Sequence, residues 1–307
     1  MIGVVKSFTG AQTQLPALLQ WNIKRTDAEP CDSFSVQFAC RKTTLALLEQ
    51  ATEFQAYEAG KLVFTGIVDD FELRLGKDGA VAELTGRGMA GRLMDMQTPA
   101  AEYVSAQLED ILNAYVRPCG ITKIDAEAMA PVLQYVVQTG ATCYQALAGF
   151  CRHSADIFPR FLADGTLVLR KNAPGKHVRL GSGILQAQYV RNRYGVAAEQ
   201  VLINTRDGSM QRAVYEEFRA VGGTRVQYAG MTGDKIRAGF RTARQRLDDS
   251  KRDEKLLYVT APGVFLAEPL DRVSVSVDAL GIAGTFTVQE AQSGCDETGA
   301  RCTLILR

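Results

Sequence analysis

The sequence predicts a mainly β chain with an α+β insertion: two tube-like antiparallel β-barrel domains flanking a small mixed domain. Three observations predict it. Apolar and polar residues alternate with a period of two near both ends of the chain, as half-buried strands require. Asp78-Gly79 and Asp164-Gly165 each lie between such runs, where a tight hairpin turn needs the positive φ that Gly supplies cheaply. Apart from a short helix-like piece at 89–94, helical spacing is confined to three stretches, two in the middle of the chain and one near residues 234–250.

A length of 307 residues suits two or three domains. The hydrophobic content of 46% and charged content of 22% are ordinary for a chain with a proper core. A net charge of +1 gives no reason to expect a nucleic-acid or acidic-surface partner. The start, Met1-Ile2-Gly3-Val4-Val5-Lys6, is too short an apolar run for a signal peptide. No stretch approaches the ~20 apolar residues of a membrane span. Folding in a cytoplasm is the expectation, with no membrane partner. The seven cysteines, odd in number and scattered, then read as reduced thiols. Cys31 with Cys40, and Cys295 with Cys302, are the pairs that could face each other across neighbouring strands.

Residues 1–97 are expected to form the first barrel. Strands are expected at residues 18–25 and 34–40, with a turn at 27–30 between them and Trp21 in or beside the core. The strongest strand pair runs through Phe64-Thr65-Gly66-Ile67-Val68-Asp69, turns at 77–79 and returns to Gly86-Arg87-Gly88. Phe71, Leu73 and Leu75 share one strand face, assigned to the core. Val68, Asp70 and Glu72 share the other, read as the face that meets another subunit.

Residues 98–172 are expected to form the small α+β domain. Val104, Leu108, Ile111, Leu112 and Tyr115 fall at helical spacing, which predicts a helix over 104–116 stopped by Pro118-Cys119-Gly120. A short strand near 121–124 follows. A second helix bears Leu147, Phe150 and Cys151, with Thr142 as its N-cap. Residues 173–307, after a joint at 173–175, return to β. Strands are expected near 184–191, 199–204, 225–228, 256–260, 272–277, 285–290 and 302–306, interrupted by a helix over 234–250.

These phrases resemble a known family. Phe64-Thr65-Gly66-Ile67-Val68-Asp69, the hairpin, and Gly86-Arg87-Gly88-Met89-Ala90-Gly91-Arg92-Leu93-Met94-Asp95 look like the first domain of phage tail hub proteins: the late-control-D family and Mu-like hubs of contractile tails, related to the base of type VI secretion spikes. Val259-Thr260-Ala261-Pro262-Gly263-Val264-Phe265-Leu266, Asp271-Arg272-Val273-Ser274-Val275 and Gly284-Thr285-Phe286-Thr287-Val288-Gln289-Glu290 look like the family's second barrel. One departure is Leu270, where the family usually has Gly. Leu does not favour positive φ, so a locally different turn is expected.

The resemblance implies a structural protein of the virion tail baseplate, assembled in the bacterial host cytoplasm. It implies a homotrimer whose six similar domains match a sixfold tail tube on one side and a threefold spike on the other. The implied partners are other copies of the chain, the tail tube or a tube-terminal protein, a separate spike protein, other baseplate proteins, and a tape measure protein in the lumen. No catalytic residue, cofactor or metal is expected.

The competing readings are an enzyme, such as a tail-borne cell-wall glycosidase, and a nucleic-acid-binding module. Gly86-Arg87-Gly88-Met89-Ala90-Gly91 matches the dinucleotide fingerprint G-x-G-x-x-G, but an antiparallel hairpin precedes it where a βαβ unit is needed. Asp69-Asp70 with Glu72, Glu216-Glu217 and Asp248-Asp249 are the carboxylate pairs a glycosidase could use, and nothing else marks a cleft around them. Cys143, Cys151 and His153 are close in sequence, but His153 points away from the two thiols on a helix and a fourth ligand is missing. His177 is the only other histidine, and with no elbow motif such as G-x-S-x-G neither points to a Ser-His-Asp or Cys-His arrangement. Arg237, Arg241 and Arg244, extended by Arg246, Lys251 and Arg252, form a basic helix face. Asp248, Asp249, Asp253 and Glu254 offset it.

Overall fold

The structure is a computed structural model, and it describes all residues except 28–30, 78, 172–174, 181–182, 232–235 and 239. Most of the expected turn at 27–30, the Asp78 corner of the long hairpin, most of the 173–175 joint and the start of the helix read over 234–250 lie among the undescribed residues.

The chain is mainly β, as expected. Strands β1 (Ile2–Ser7), β2 (Gln12–Gln14), β3 (Leu18–Thr26), β4 (Ser33–Ala39), β5 (Ala51–Glu58), β6 (Lys61–Gly76) and β7 (Gly79–Gly88) form the first β-unit, with short helices α1 (Thr44–Leu48) and α2 (Gly91–Asp95). Its core is aromatic. Phe34 stacks on Phe54 with ring centroids 4.3 Å apart, and Phe64 lies tilted against both. Alternation along β4 places Phe34, Val36 and Phe38 on the same buried side.

The middle of the chain holds β8 (Ala101–Ala106), α3 (Leu108–Ile111), β9 (Ile124–Ala126), β10 (Val132–Val137), α4 (Cys143–Ala155), β11 (Arg160–Phe161) and β12 (Leu167–Leu169). A π-helical turn (Leu112–Val116) and a 3-10 turn (Arg117–Cys119) prolong α3. The helix read over 104–116 therefore starts later. Val104 is a strand residue, 76% exposed, and Asp110 accepts the Gln107 N–H at 2.9 Å to set the helix start. Apolar spacing alone could not separate the last strand residues from the first helical turn.

The second helix begins where expected. Thr142 Oγ1 accepts the Gln145 N–H at 3.1 Å, and Gln145 Oε1 accepts the Thr142 N–H at 2.9 Å. This reciprocal cap predicts that Thr142→Ala loses about 1 kcal/mol of stability in a urea melt, with an unchanged slope.

The rest of the chain supplies a second β-unit and a separate small sheet. β13 (His177–Arg179), β14 (Gln186–Arg191), β19 (Lys255–Pro262), β20 (Arg272–Val277), β21 (Ile282–Asp296) and β22 (Gly299–Leu306) make the second β-unit. Between β14 and β19 the chain leaves to form a separate sheet of β15 (Glu199–Asn204), β16 (Met210–Val214) and β17 (Val226–Met231), with α5 (Glu216–Ala220) and α6 (Ala243–Lys251). Helix α6 starts later than read, because Thr242 and Gln245 form its cap. Residues Ile236–Arg237 are instead strand β18, parallel to β10.

The two units are not closed barrels. Their strands form one open sheet in the order β14-β19-β22-β21-β3-β4-β7-β6-β5-β1-β2, with β20 and then β13 branching from β21. The physical reason is that β3 spends its outer edge on β21 of the second unit, from Trp21 opposite Cys295 to Thr26 opposite Glu290. An edge used in that way cannot close on its own sheet.

Two smaller expectations also change. All seven cysteines are free; Cys31 and Cys40 flank the same strand, and Cys295 and Cys302 lie opposite Ala300 and Ser293. Leu270 does adopt positive φ, at 76°. Asp271 holds the turn, its carboxylate accepting the Glu268 N–H at 2.9 Å and the Lys176 N–H at 2.8 Å, while the Leu270 N–H bonds to Val288 O at 2.8 Å.

Candidate assembly interface

The glycine-rich phrase is a strand crossing. Gly86 and Gly88 end β7, and Gly91 begins α2. A Cβ on Gly86 would lie 2.0 Å from Ile67 O, one on Gly66 would lie 2.3 Å from Arg87 O, and one on Gly91 would lie 2.7 Å from Ile67 Cδ1. The glycines let β6 and β7 approach each other and α2 fold back. An antiparallel partner fills the space where a dinucleotide would need a crossover helix.

The hairpin is bulged at Asp69, since Val68 pairs with Gly86 and Asp70 with Thr85. Arg87 fixes the bulge. Its guanidinium bonds both Asp69 oxygens, at 2.6 and 2.8 Å, and both Asp95 oxygens at 2.9 Å. These bonds, those to Asp69 foremost, hold Arg87 even more firmly protonated than usual.

The extra residue changes the face reading. Val68 packs against the first core, whereas Asp70 and Glu72 are exposed. The three residues read as one outward face are therefore split by the bulge. Glu72 pairs with Arg74 at 3.2 Å, and Arg74 also reaches Glu83. The face assigned to the core is only partly covered. Phe71 is half-buried, but Leu73 is 39% and Leu75 86% exposed, because the hairpin extends past the core.

The same hairpin occurs twice. β21 pairs with β22 as β6 pairs with β7, with the bulge at the same step. Gln289 stands where Asp69 stands, flanked by Val288 and Glu290 as Asp69 is by Val68 and Asp70. The turns also match, with Gly76 opposite Gly79 in one and Asp296 opposite Gly299 in the other. Both Gly79 and Gly299 have φ near 110°. The strand order β3-β4-β7-β6-β5-β1 of the first unit is repeated as β14-β19-β22-β21-β20-β13 in the second. One pairing differs: β1 runs antiparallel to β5, and β13 parallel to β20.

The β3–β21 junction is reinforced by side chains. Trp21 stacks on Phe265 with centroids 5.7 Å apart, and the Phe265 N–H bonds to Ser293 Oγ at 2.8 Å. Arg25 is 12% exposed and ties three parts together. It bonds Glu268 at 2.5 Å, Phe161 O at 3.1 Å and Asp32 at 3.4 Å. Burial raises the carboxyls of Asp32 and Glu268 above their ordinary values, and Arg25 opposes the shift. Beside them Asp27 receives Arg307 at 2.7 Å and Arg252 at 3.1 Å. The sequence reading missed Arg25, Asp32 and Glu268, whereas Trp21 is buried at the edge of the first core, as expected. The junction joins positions more than 200 residues apart in the chain, for which no local pattern exists.

The other candidate chemistry is dispersed. Asp248 pairs with Arg244 and Lys251, and Asp249 with Arg152 and Arg241. Arg241, Arg244 and Lys251 of the basic face are thus paired with these two carboxylates, while Arg152 of α4 brings a further cation to Asp249. Glu216 and Glu217 sit in the first turn of α5. Cys143 and Cys151 are buried, and burial pushes both thiols up to about 12. His153 lies edge-on to Phe240, with its pKa lowered by burial, and His177 bonds Ser274. Among the described residues no three of His, Cys, Asp and Glu converge on a point that could hold a metal ion. Among the described residues no helix is long and apolar enough to cross a membrane.

No family model matches the sequence, and no curated protein matches it. Solved structures do. The chain is similar to the 43 kDa tail protein of prophage MuSo2 from Shewanella oneidensis (TM-score 0.74, 15% identity, covering 100% of this chain and 98% of that one). It is similar to a tail protein from Neisseria meningitidis MC58 (TM-score 0.73, 16% identity, 99% and 95% covered). It also resembles the E. coli c3393 protein, a component of the type VI secretion system described as structurally similar to T4 tail proteins gp27 and gp5 (TM-score 0.59, 11% identity, 94% and 73% covered). The chain has the fold of these phage-tail proteins over its whole length.

Proposed function

We propose that this chain is a structural baseplate hub of a phage-type tail. Three copies form a ring that joins a sixfold tail tube to a threefold central spike. The observation that carries this reading is the repeated β-unit: one chain presents two units with the same strand order and the same bulged hairpin, already joined edge to edge. A protein with two similar units can meet sixfold symmetry with three copies and still offer threefold symmetry to another partner. In this reading residues 1–97 and 173–307 supply the ring, and 98–172 the part beside it. The fold shared with tail proteins, and the dispersal of the carboxylate and thiol candidates, support a structural role over catalysis. The place of action is the virion tail, and the partners are other copies, a tube protein, a spike, further baseplate proteins and a tape measure protein in the lumen.

Reversing charge on the outward hairpin face tests the docking role of Asp70 and Glu72. The double variant Asp70→Lys, Glu72→Lys should melt within about 1 kcal/mol of the parent, because both groups are exposed. It should nevertheless incorporate poorly into tails, since like charges across an interface are strongly unfavourable. Normal incorporation, read by immunoblot of purified particles, would show that this face is only solvated. Mass measurement of the ring tests the assembly itself; a single copy per particle would end the hub reading.

A further inference from the structure

We propose that β14 of one copy adds antiparallel to the outer half of β6 in the next copy, placing Phe71 opposite Arg191, Leu73 opposite Tyr189 and Leu75 opposite Ala187. The proposal deepens the ring reading above and rests on it.

The template lies inside each chain. At the internal junction β3 adds to the outer half of β21, with Arg25 opposite Ala291, Ile23 opposite Ser293 and Trp21 opposite Cys295. The repeated strand order makes β14 the counterpart of β3, and β6 the counterpart of β21. The registers agree: Tyr189 lies opposite Leu257 as Ile23 lies opposite Phe34, and Gln186 opposite Thr260 as Gln20 lies opposite Gln37. Each chain therefore carries two equivalent donor strands and two equivalent acceptors, and uses one of each internally. Among the described strands, β14 has β19 as its single neighbour, and residues 69–76 of β6 have only β7.

Backbone parity provides a separate check. The Asn192 N–H bonds Glu254 O at 2.8 Å, towards β19, so alternation turns the N–H groups of Ala187, Tyr189 and Arg191 outward. At the internal junction the Asp27 N–H bonds Gln289 O at 2.9 Å, so Trp21, Ile23 and Arg25 face β21. The counterparts of those three residues are the three that face outward on β14.

Burial gives the same answer. Ala291 and Ser293 are 7% and 2% exposed beneath the internal junction, whereas their counterparts Phe71 and Leu73 are half-buried and 39% exposed. Tyr189 on the donor strand is 44% exposed. A long strand edge with exposed apolar residues invites pairing. The two free edges lie far apart in one chain's sheet, so the occupant is a second copy. The contact is head-to-tail and closes as a ring when the internal junction's geometry repeats.

The test is a cysteine pair in the full-length chain, Arg74→Cys with Gln188→Cys, which the proposed register places directly opposite each other as a non-hydrogen-bonded pair. A one-residue register control is Leu73→Cys with Gln188→Cys, and the parent chain is the control for native thiols. Opposed Cβ atoms of a non-hydrogen-bonded pair lie at the close end of the cross-strand range, about 4.5 Å, which mild oxidation can bridge with little movement. Oxidation is applied to the concentrated protein and to isolated tail particles. The expected product is a covalent trimer on a non-reducing gel from the first pair alone. A second variant, Tyr189→Pro, removes an outward N–H while sparing the β19 ladder. It should melt like the parent and lose the trimer peak in native mass measurement. A native trimer that yields no covalent trimer from the first pair, or that survives Tyr189→Pro, overturns this interface and leaves the ring reading standing. A chain that is monomeric in both preparations overturns both.

Discussion

Arg25→Ala should destabilise the folded chain by about 3–5 kcal/mol, the range for removing one partner of a buried ion pair. The guanidinium is 12% exposed and meets Glu268 of the second β-unit, Asp32 of the first and the Phe161 carbonyl of the middle segment. Its removal leaves the buried Asp32 carboxylate and the partly exposed Glu268 carboxylate without their cation and frees the two units from each other at one point. The deficit should depend on pH. Burial already raises the carboxyls of Asp32 and Glu268, and Arg25 opposes that rise. A carboxyl whose pKa is raised on folding favours the folded state increasingly as pH falls through its folded value, until the unfolded value of about 4 is passed. Without Arg25 both groups rise further. The variant should therefore be weakest against the parent at neutral pH, with the gap narrowing in mild acid. Urea melts at two pH values read this directly. An equal gap at both would mean that water reaches the two carboxylates in the variant.

Gly86→Ala should cost about 3–5 kcal/mol and yield mostly insoluble chain. The added Cβ would lie 2.0 Å from Ile67 O and 2.6 Å from the Phe34 ring. The first contact is with backbone, so relief requires opening the β6–β7 ladder beside the bulge. The second is with a ring stacked in the core. Gly88→Ala is the useful comparison, since its nearest contact is 3.1 Å, to Asp32 Cβ, and a small adjustment suffices. If the phrase served a phosphate, both substitutions would abolish binding while sparing the fold. The strand-crossing account expects instead a large stability difference between them, measurable as soluble yield and melting temperature.

The local rules that the sequence obeys were legible in it. Alternation marked most strands, the glycine steps at 66, 86, 88 and 91 marked a hairpin folding back on itself, and Thr142 marked a helix start. Each of these depends on residues within a few positions of one another. Where two local signals overlapped, the pattern failed: Val104 fits a helix face by spacing and a strand by pairing, and the pairing with β10 prevailed. A single bulge at Asp69 reversed the side on which Val68 lies, which no count of alternating residues reveals.

By itself, the sequence determined that the chain is β-rich with an α+β middle, and its phrases resembled tail hub proteins. The tertiary structure alone decided that the outer edge of β3 joins β21 instead of closing the first unit, that Arg25 sits among three parts of the chain, and that among the described strands β14 and the outer half of β6 retain unused edges. Backbone N–H and C=O groups are the same at every residue, so the choice of which edges meet carries almost no side-chain signature. That choice is made by the placement of whole units, through contacts between residues far apart in the chain.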